Sequence, residues 1–337
     1  MRIACIPGVV AALLLLACGG GGGGATDGAG AADAAATDET PAGAGEEAAD
    51  EVAPEPGPAD APPEAAPPPE QCLALKEGRN AKFVANGVER ELLLNLPPDV
   101  ESKGPWPVVF MWHGFVGDYD MTADFAAVFA SYVDDAEFPF ILVTPRGQSV
   151  FPNWDVLEVF ADEPNDDIAL FDDLLACLDA RFGVDADRVF TSGFSAGGIL
   201  SDLIGVLRGD VIASVLTWSG GYLGNPANDT GFNVTWPKDP PGSGYPQAVI
   251  AGGANDQYMG MVHFDQFAAN DVPYLNRSGH DVVRCNHGGQ HTIPFGFQGR
   301  QALEFFKAHP RGTTASPWAT SGLPADYPKY CEFKGKE

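Results

Sequence analysis

The chain has 337 residues and is strongly acidic, with 46 Asp and Glu against 19 Lys and Arg and a net charge of −27. A surface with this charge repels phosphate groups, so nucleic acids and anionic membrane surfaces are excluded as partners. The length is sufficient for one large domain and an additional segment.

The first eighteen residues have the features of an export signal. Arg2 gives a positive charge, and the apolar run that follows, Val9 to Leu16, is too short to span a membrane as a mature helix. The run ends at Leu15-Leu16-Ala17-Cys18, which resembles the lipobox of bacterial lipoproteins. The resemblance implies lipidation of Cys18 and anchoring in the bacterial cell envelope, at the outer membrane or cell surface. A plain secretory signal is the alternative.

Residues 19–71 consist largely of Gly, Ala, Pro and acidic residues, without a single Lys, Arg or aromatic residue. This composition offers too little apolar surface for a core, and the like charges keep the chain extended. We therefore predict a disordered tether over residues 19–71, between a signal at residues 1–18 and one folded domain at residues 72–337.

Strand-like and helix-like segments alternate along that domain. Two strand-like runs meet at Asn86-Gly87, a strong β-hairpin signal. Short apolar runs that predict buried strands lie at 107–114, 138–147, 188–195, 213–221 and 247–253, and helical periodicity lies at 121–133, 166–183, 199–207 and 299–309. We interpret residues 281–285 as the last strand and 299–309 as the last helix. The acidic side chains of the 166–183 helix are expected to face solvent.

This alternation indicates an α/β fold with a mostly parallel twisted sheet, helices on both faces and the hairpin as an antiparallel edge. The segment from Tyr222 to Tyr245, rich in Gly, Pro and Asn, is predicted to be a short polar insertion after the sixth strand.

Four cysteines fall in the domain, at Cys72, Cys177, Cys285 and Cys331. An even number in an exported chain predicts two disulfides, and their spacing leaves three pairings open. Because no pair has the spacing of a zinc or redox motif, we expect neither a metal nor another cofactor.

The motif G-x-S-x-G surrounds Ser195, between the end of a predicted strand and the start of a helix. In that context the turn exposes the serine oxygen at the carboxyl edge of the sheet, and the helix N-terminus supplies an N–H for an oxyanion. Small residues are required on both sides because the strand and helix backbones approach closely. The pattern predicts a nucleophile.

A serine nucleophile needs a base and an acid that orients the base, in the chain order Ser, acid, His for this type of sheet. Asp256 follows the predicted strand at 247–253, and His291 follows the strand at 281–285. His287 is a rival base in the same loop. Asp265 and Asp271 lie too far along the chain for the acid, and Asn255 cannot serve as an anion.

The stretches "DADRVFTSGFSAGG", "GGQHTIP" and "FFKAHP", with His113-Gly114, resemble α/β-hydrolases of the esterase group that includes polyhydroxybutyrate depolymerases and feruloyl esterases. The resemblance covers residues 82–310. It implies Ser195 as nucleophile, His291 as base and Asp256 as its orienting acid. It also implies an oxyanion hole formed by the backbone N–H groups of Phe115 and Ala196.

The sequence thus predicts a serine esterase for short-acyl, hydroxycinnamoyl or hydroxyalkanoate esters, either small molecules or groups linked to a polysaccharide or polyester. The membrane would be contacted only through the lipid anchor. A serine peptidase on the same fold and a catalytically inactive binding lipoprotein are the alternatives. His113 is expected to support its own loop, and Trp112, Trp154 and Tyr258 are candidates for lining an acyl pocket or for the core.

Overall fold

A computed structural model describes residues 69–115, 120–148, 152–157, 165–232, 234–238, 240, 244–313 and 315–337. The predicted signal, the lipobox Cys18 and residues 19–68 of the predicted tether lie outside these ranges. Helix α1, Glu70–Leu73, begins two residues before the predicted domain boundary at Cys72. Within the described ranges, no helix is both long and apolar enough to cross a membrane.

Nine strands form one sheet in the order β1-β2-β4-β3-β5-β6-β7-β10-β11, and β8 pairs with β9 in a separate two-stranded unit. The strands are β1 Gly78–Ala85, β2 Val88–Asn95, β3 Trp106–Trp112, β4 Ile141–Pro145, β5 Val184–Phe194, β6 Ser214–Trp218, β7 Gln247–Ala251, β8 Gln257–Tyr258, β9 Val262–His263, β10 Val282–Asn286 and β11 Cys331–Lys334. The strands from β4 to β10 in this order are parallel. The sheet therefore confirms the predicted α/β architecture.

Two apolar cores cover the sheet, one on each face. The helices after α1 are α2 Thr122–Ala130, α3 Asp166–Phe182, α4 Ala196–Leu207, α5 Phe264–Arg277, α6 Gly299–Ala308 and α7 Trp318–Ser321. Every residue of β3, β4, β6 and β7 is buried, as the continuous apolar runs predicted.

The predicted hairpin forms the first edge of the sheet. Asn86 and Gly87 both have positive φ, 47° and 76°, which a two-residue type I′ turn requires. Strand β1 has a register irregularity between Asn80 and Phe83, within which Lys82 has a φ of 65°. The side-chain amide of Gln71 donates to the carbonyl of Val84 and accepts from its N–H, both at 3.1 Å.

The other edge differs from the prediction. Strand β10 is not the last strand, because β11 pairs antiparallel with it, and helix α7 follows α6. Only four residues form β11, and its alternation of apolar and polar side chains is too short to indicate a strand in the sequence. Helix α5 was also not predicted. Pro273 lies inside it and weakens the helical pattern.

The four domain cysteines form two disulfides, Cys72–Cys177 and Cys285–Cys331. The first joins α1 to α3. The second joins β10 to β11 at positions that are direct partners in the antiparallel register. The second disulfide thus fixes the β11 edge of the sheet covalently to β10, whereas the first links two helices.

Candidate active site

Ser195 lies at the sharp turn between β5 and α4, with φ 55° and ψ −122°. This is a strained conformation for a residue with a side chain, and it is the one that the G-x-S-x-G motif predicts. A Cβ on Gly193 would lie 2.2 Å from the carbonyl oxygen of Gly197, and one on Gly197 would lie 2.2 Å from that of Trp112. The strand and helix backbones are therefore too close for any side chain at these two positions.

Asp256 and His291 meet at the carboxyl edge of the sheet, in the loops that follow β7 and β10. The loops are joined by a bridge between Asn255 and Gln290 and by a hydrogen bond from Gly253 N–H to the Gly289 carbonyl at 2.8 Å. Nδ1 of His291 lies 2.6 Å from Oδ1 of Asp256. If Nδ1 carries the proton and donates it to this carboxylate, Nε2 has a free lone pair and can accept a proton.

The His291 imidazole is also held by two aromatic rings. Its centroid lies 4.6 Å from that of Phe194, and it stacks on Phe264 at 4.7 Å with an interplanar angle of 18°. Phe194 directly precedes Ser195, and Phe264 lines the same cavity as Ser195. These contacts place the imidazole beside the serine turn.

The alternative base His287 and the alternative acid Asp271 lie in different environments from His291 and Asp256. The His287 ring packs against Tyr330, and its Nε2 is buried without a hydrogen-bond partner among the described residues. Burial lowers the pKa of His287. Asp271 accepts hydrogen bonds from the side-chain amides of Asn225 and Asn228, away from His291. Of the candidate acids, Asp256 is the one in contact with His291.

The segment that holds Phe115, one of the two predicted oxyanion residues, passes close to Ser195. A Cβ on Gly114 would lie 3.2 Å from the Cβ of Ser195, and Phe115 and Ala196 line one cavity with Ser195. Ala196 begins helix α4, so its N–H is among those without an intrahelical acceptor.

His113 fixes this segment. Its Nε2 accepts a hydrogen bond from Gly147 N–H at 2.8 Å, so the proton lies on Nδ1, which donates to the Gly114 carbonyl at 2.7 Å. Burial lowers the pKa of His113 and favours this neutral form. The side chain supports its own loop, as predicted from the sequence.

A mostly apolar cavity of about 50 Å³ opens beside Ser195. Helix α4 contributes Ile199, and the insertion after β6 contributes Leu223, Thr230 and Phe232. Tyr258 lines the cavity as well. Trp112 and Trp154, the other two aromatic candidates, are instead buried in the core against each other, with ring centroids 5.3 Å apart.

Two buried carboxylates hold the start of the insertion. Asp202 accepts the Gly221 N–H at 2.7 Å, and Asp271 accepts the Tyr222 N–H at 3.1 Å. Burial raises the pKa of Asp202 well above its usual range and that of Asp271 to about 7. The contacts of these two residues with the insertion were not predicted from the sequence. They fix the backbone from which the cavity wall extends.

Ser219 and Phe264 contact the Asp256–His291 pair and were not recognised from the sequence. Ser219 follows β6 directly, within "TWSGG", and its Oγ donates to Oδ2 of Asp256 at 2.9 Å. The sequence feature that could have identified Ser219 is its position at the end of a predicted strand. In the described part of the chain, no group of three or more His, Cys, Asp or Glu side chains could hold a metal ion.

Comparisons with known proteins relate this chain to esterases. The family model named Esterase matches residues 85–240. Feruloyl esterase D of Neurospora crassa is 24% identical over 246 residues, which are 65% of this chain and 79% of that protein. Probable feruloyl esterase C of Aspergillus terreus is 25% identical over 241 residues, 69% of this chain and 81% of that protein.

A solved structure of a pOPH variant in complex with DMSO superposes with a TM-score of 0.62. The alignment covers 80% of this chain and 96% of the other, at 17% sequence identity. At that identity the superposition shows a shared fold.

Proposed function

Since this chain is a carboxylic ester hydrolase with the α/β-hydrolase fold, we propose that Ser195 is its nucleophile, His291 its general base and Asp256 the acid that orients the base. The observation that carries the proposal is the 2.6 Å contact between His291 Nδ1 and Asp256 Oδ1, beside a serine in a strained strand-to-helix turn.

In the acylation step, Ser195 Oγ attacks the ester carbonyl while His291 Nε2 takes the hydroxyl proton. The carbonyl oxygen becomes an oxyanion, which the N–H groups of Phe115 and Ala196 would stabilise. The C–O bond to the alcohol then breaks, and His291 returns its proton to the leaving alcohol. An acyl group remains on Ser195.

Deacylation repeats these steps with water as the nucleophile. His291 takes a proton from the water, whose oxygen attacks the acyl carbon, and the carboxylic acid leaves as Ser195 regains the proton. Throughout, the buried Asp256 carboxylate stabilises the imidazolium that forms on His291.

We propose esters with compact or planar acyl groups as substrates, namely short-acyl, hydroxycinnamoyl or hydroxyalkanoate esters. The small apolar cavity beside Ser195 supports this class, because it offers little room for a long alkyl chain. The names of the two feruloyl esterase relatives support the hydroxycinnamoyl members. On sequence grounds alone, we also propose export and attachment to the cell envelope through a lipid on Cys18.

The direct test is Ser195→Ala, assayed with p-nitrophenyl butyrate and methyl ferulate. We expect kcat to fall by about 10⁴- to 10⁶-fold, which is the usual cost of removing a nucleophile. Ser192→Ala is the matched control, because this serine is buried in the same strand but donates to the Phe110 carbonyl. If Ser195→Ala retained more than about a tenth of the activity, the nucleophile would have to be another residue.

The anilide of the same acyl group separates an esterase from a peptidase. A serine esterase should cleave butyryl p-nitroanilide far more slowly than p-nitrophenyl butyrate, because the amine is the poorer leaving group. Comparable specificity constants for the ester and the anilide would favour the peptidase alternative.

A further inference from the structure

Ser219 occupies an unusual position directly after β6. Its φ is 50°, in the left-handed region that favours glycine, and only 1% of its surface is exposed. Its N–H donates to the Ile250 carbonyl at 2.7 Å, so the backbone is fixed against β7. A residue with a side chain lies where glycine would be less strained, so we considered what the hydroxyl contacts.

That hydroxyl contacts the carboxylate of Asp256, which is completely buried. Oδ2 of Asp256 accepts two hydrogen bonds, from Ser219 Oγ at 2.9 Å and from Gly252 N–H at 2.6 Å. Oδ1 is left for His291. A buried carboxylate is unfavourable unless donors compensate for lost water, and these three donors supply that compensation.

The two donors on Oδ2 also determine the orientation of the carboxylate. With Gly252 as the single donor to Oδ2, rotation of the carboxylate about the Cβ–Cγ bond would be less restricted. The second donor, which comes from another strand, removes this freedom and directs Oδ1 towards His291 Nδ1. Because the orientation of the imidazole follows that of the carboxylate, an error here would misplace Nε2 relative to Ser195.

We propose that Ser219 is a positioning residue of the esterase, which acts through Asp256 to set the orientation of His291. The inference rests on the proposed function, in which Asp256 and His291 serve Ser195. It assigns a role in the reaction to the residue after β6, although Ser219 does not line the cavity beside Ser195.

The test compares Ser219→Gly with Ser219→Ala. Both remove the hydroxyl, but glycine relieves the backbone strain at φ 50° whereas alanine retains it. We expect kcat for p-nitrophenyl butyrate to fall by about 10- to 100-fold in both variants, with KM within about twofold of the wild-type value. A purely structural role would instead make the loss follow stability, so that glycine would be the milder change.

Ser214→Ala is the matched control. Ser214 lies at the start of the same strand, and its buried Oγ has no hydrogen-bond partner among the described residues. Its removal should leave kcat and KM unchanged. A second readout is the proton NMR resonance of His291 Nδ1–H, assigned by its loss in His291→Ala. We expect this resonance to shift in Ser219→Gly and to stay in place in Ser214→Ala.

Two outcomes would overturn the inference. One is a Ser219→Gly enzyme that keeps more than half of the wild-type kcat while Ser195→Ala is inactive, which would leave the proposed function intact. The other is a loss of activity in Ser219→Gly with an unchanged His291 resonance. An active Ser195→Ala enzyme would contradict the proposed function itself. If the alanine variant failed to fold, the glycine variant would decide the question.

Discussion

At the scale of single residues, the two histidines of the loop after β10 show how the environment separates their roles. His291 contacts a buried carboxylate and lies between two aromatic rings, so its orientation is restricted on three sides. His287 lies four residues earlier, where burial lowers its pKa and its Nε2 has no partner in the described structure. We infer that only His291 is arranged to take a proton from Ser195.

Substitution of each histidine tests this assignment. His291→Ala should lower kcat by about 10⁴-fold or more, because Ser195 would lose its base. His287→Ala should stay within a few-fold of wild type in the same p-nitrophenyl butyrate assay. If His287→Ala were the inactive variant and His291→Ala active, the base would be His287.

The sequence was informative where a residue follows a recognisable strand. Ser195, Asp256 and His291 could each be predicted in this way, because parallel strands place their carboxyl ends at one edge. Ser219 could not, since its contact is with a carboxylate 37 residues later in the chain. Asp167 was expected to face solvent with the other acids of α3, yet it is fully buried against Arg90, a partner 77 residues earlier.

At the scale of elements, the insertion after β6 runs from the carboxyl edge of the sheet, near Asp256, to the cavity beside Ser195. Ser219 contacts Asp256, the next amides are held by Asp202 and Asp271, and Phe232 lies in the cavity wall. The polar composition of the insertion was visible in the sequence. The sequence did not show which of its few apolar residues would face Ser195, because the segment has no periodicity from which a buried face can be assigned.

Phe232→Ala should change the preference for acyl length. The wild-type specificity constants for p-nitrophenyl esters from C2 to C16 should fall beyond about eight carbons. The variant should move the maximum to longer chains, since each additional buried CH₂ is worth about 0.8 kcal/mol, or roughly fourfold in rate.

Phe295→Ala controls for the loss of an aromatic ring as such. This phenylalanine is 95% exposed and does not line the cavity, so its removal should leave the chain-length profile unchanged. A wild-type maximum at C12 or longer would contradict the proposed substrate class. An identical profile in both variants would show that Phe232 does not limit the cavity.

At the scale of the whole molecule, the pH dependence of the free energy of unfolding includes a contribution from His309, a buried histidine that remains neutral. His309, at the end of α6, has Nδ1 2.7 Å from the Phe305 carbonyl and Nε2 2.7 Å from Ser316 Oγ. Burial lowers its pKa from 6.5 to about 4. Between these values the unfolded chain binds a proton that the folded chain does not, so the free energy of unfolding decreases as the pH falls from 6.5 to 4.

His309→Gln removes this proton linkage while keeping one donor and one acceptor. The wild type should lose up to about 3 kcal/mol more than the variant between pH 6.5 and pH 4, measured by urea unfolding at several pH values. The variant is expected to be less stable at pH 7, because the ring contacts with Phe305 and Trp318 are lost. If the free energy of unfolding had the same pH dependence in both proteins, His309 would be excluded as a source of the acid sensitivity.

The side-chain amide of Gln71 affects whether another strand can pair with the open β1 edge of the sheet. An open edge strand offers its backbone groups to any passing strand, which is how folded domains begin to polymerise. At Val84 both of these groups are already bound to the Gln71 side chain, and the nearby irregularity at Lys82 bends the same strand out of a flat register. A neighbouring copy therefore finds no continuous ladder to extend. If the proposed lipid on Cys18 crowds copies onto one membrane, this feature disfavours pairing between them through the β1 edge.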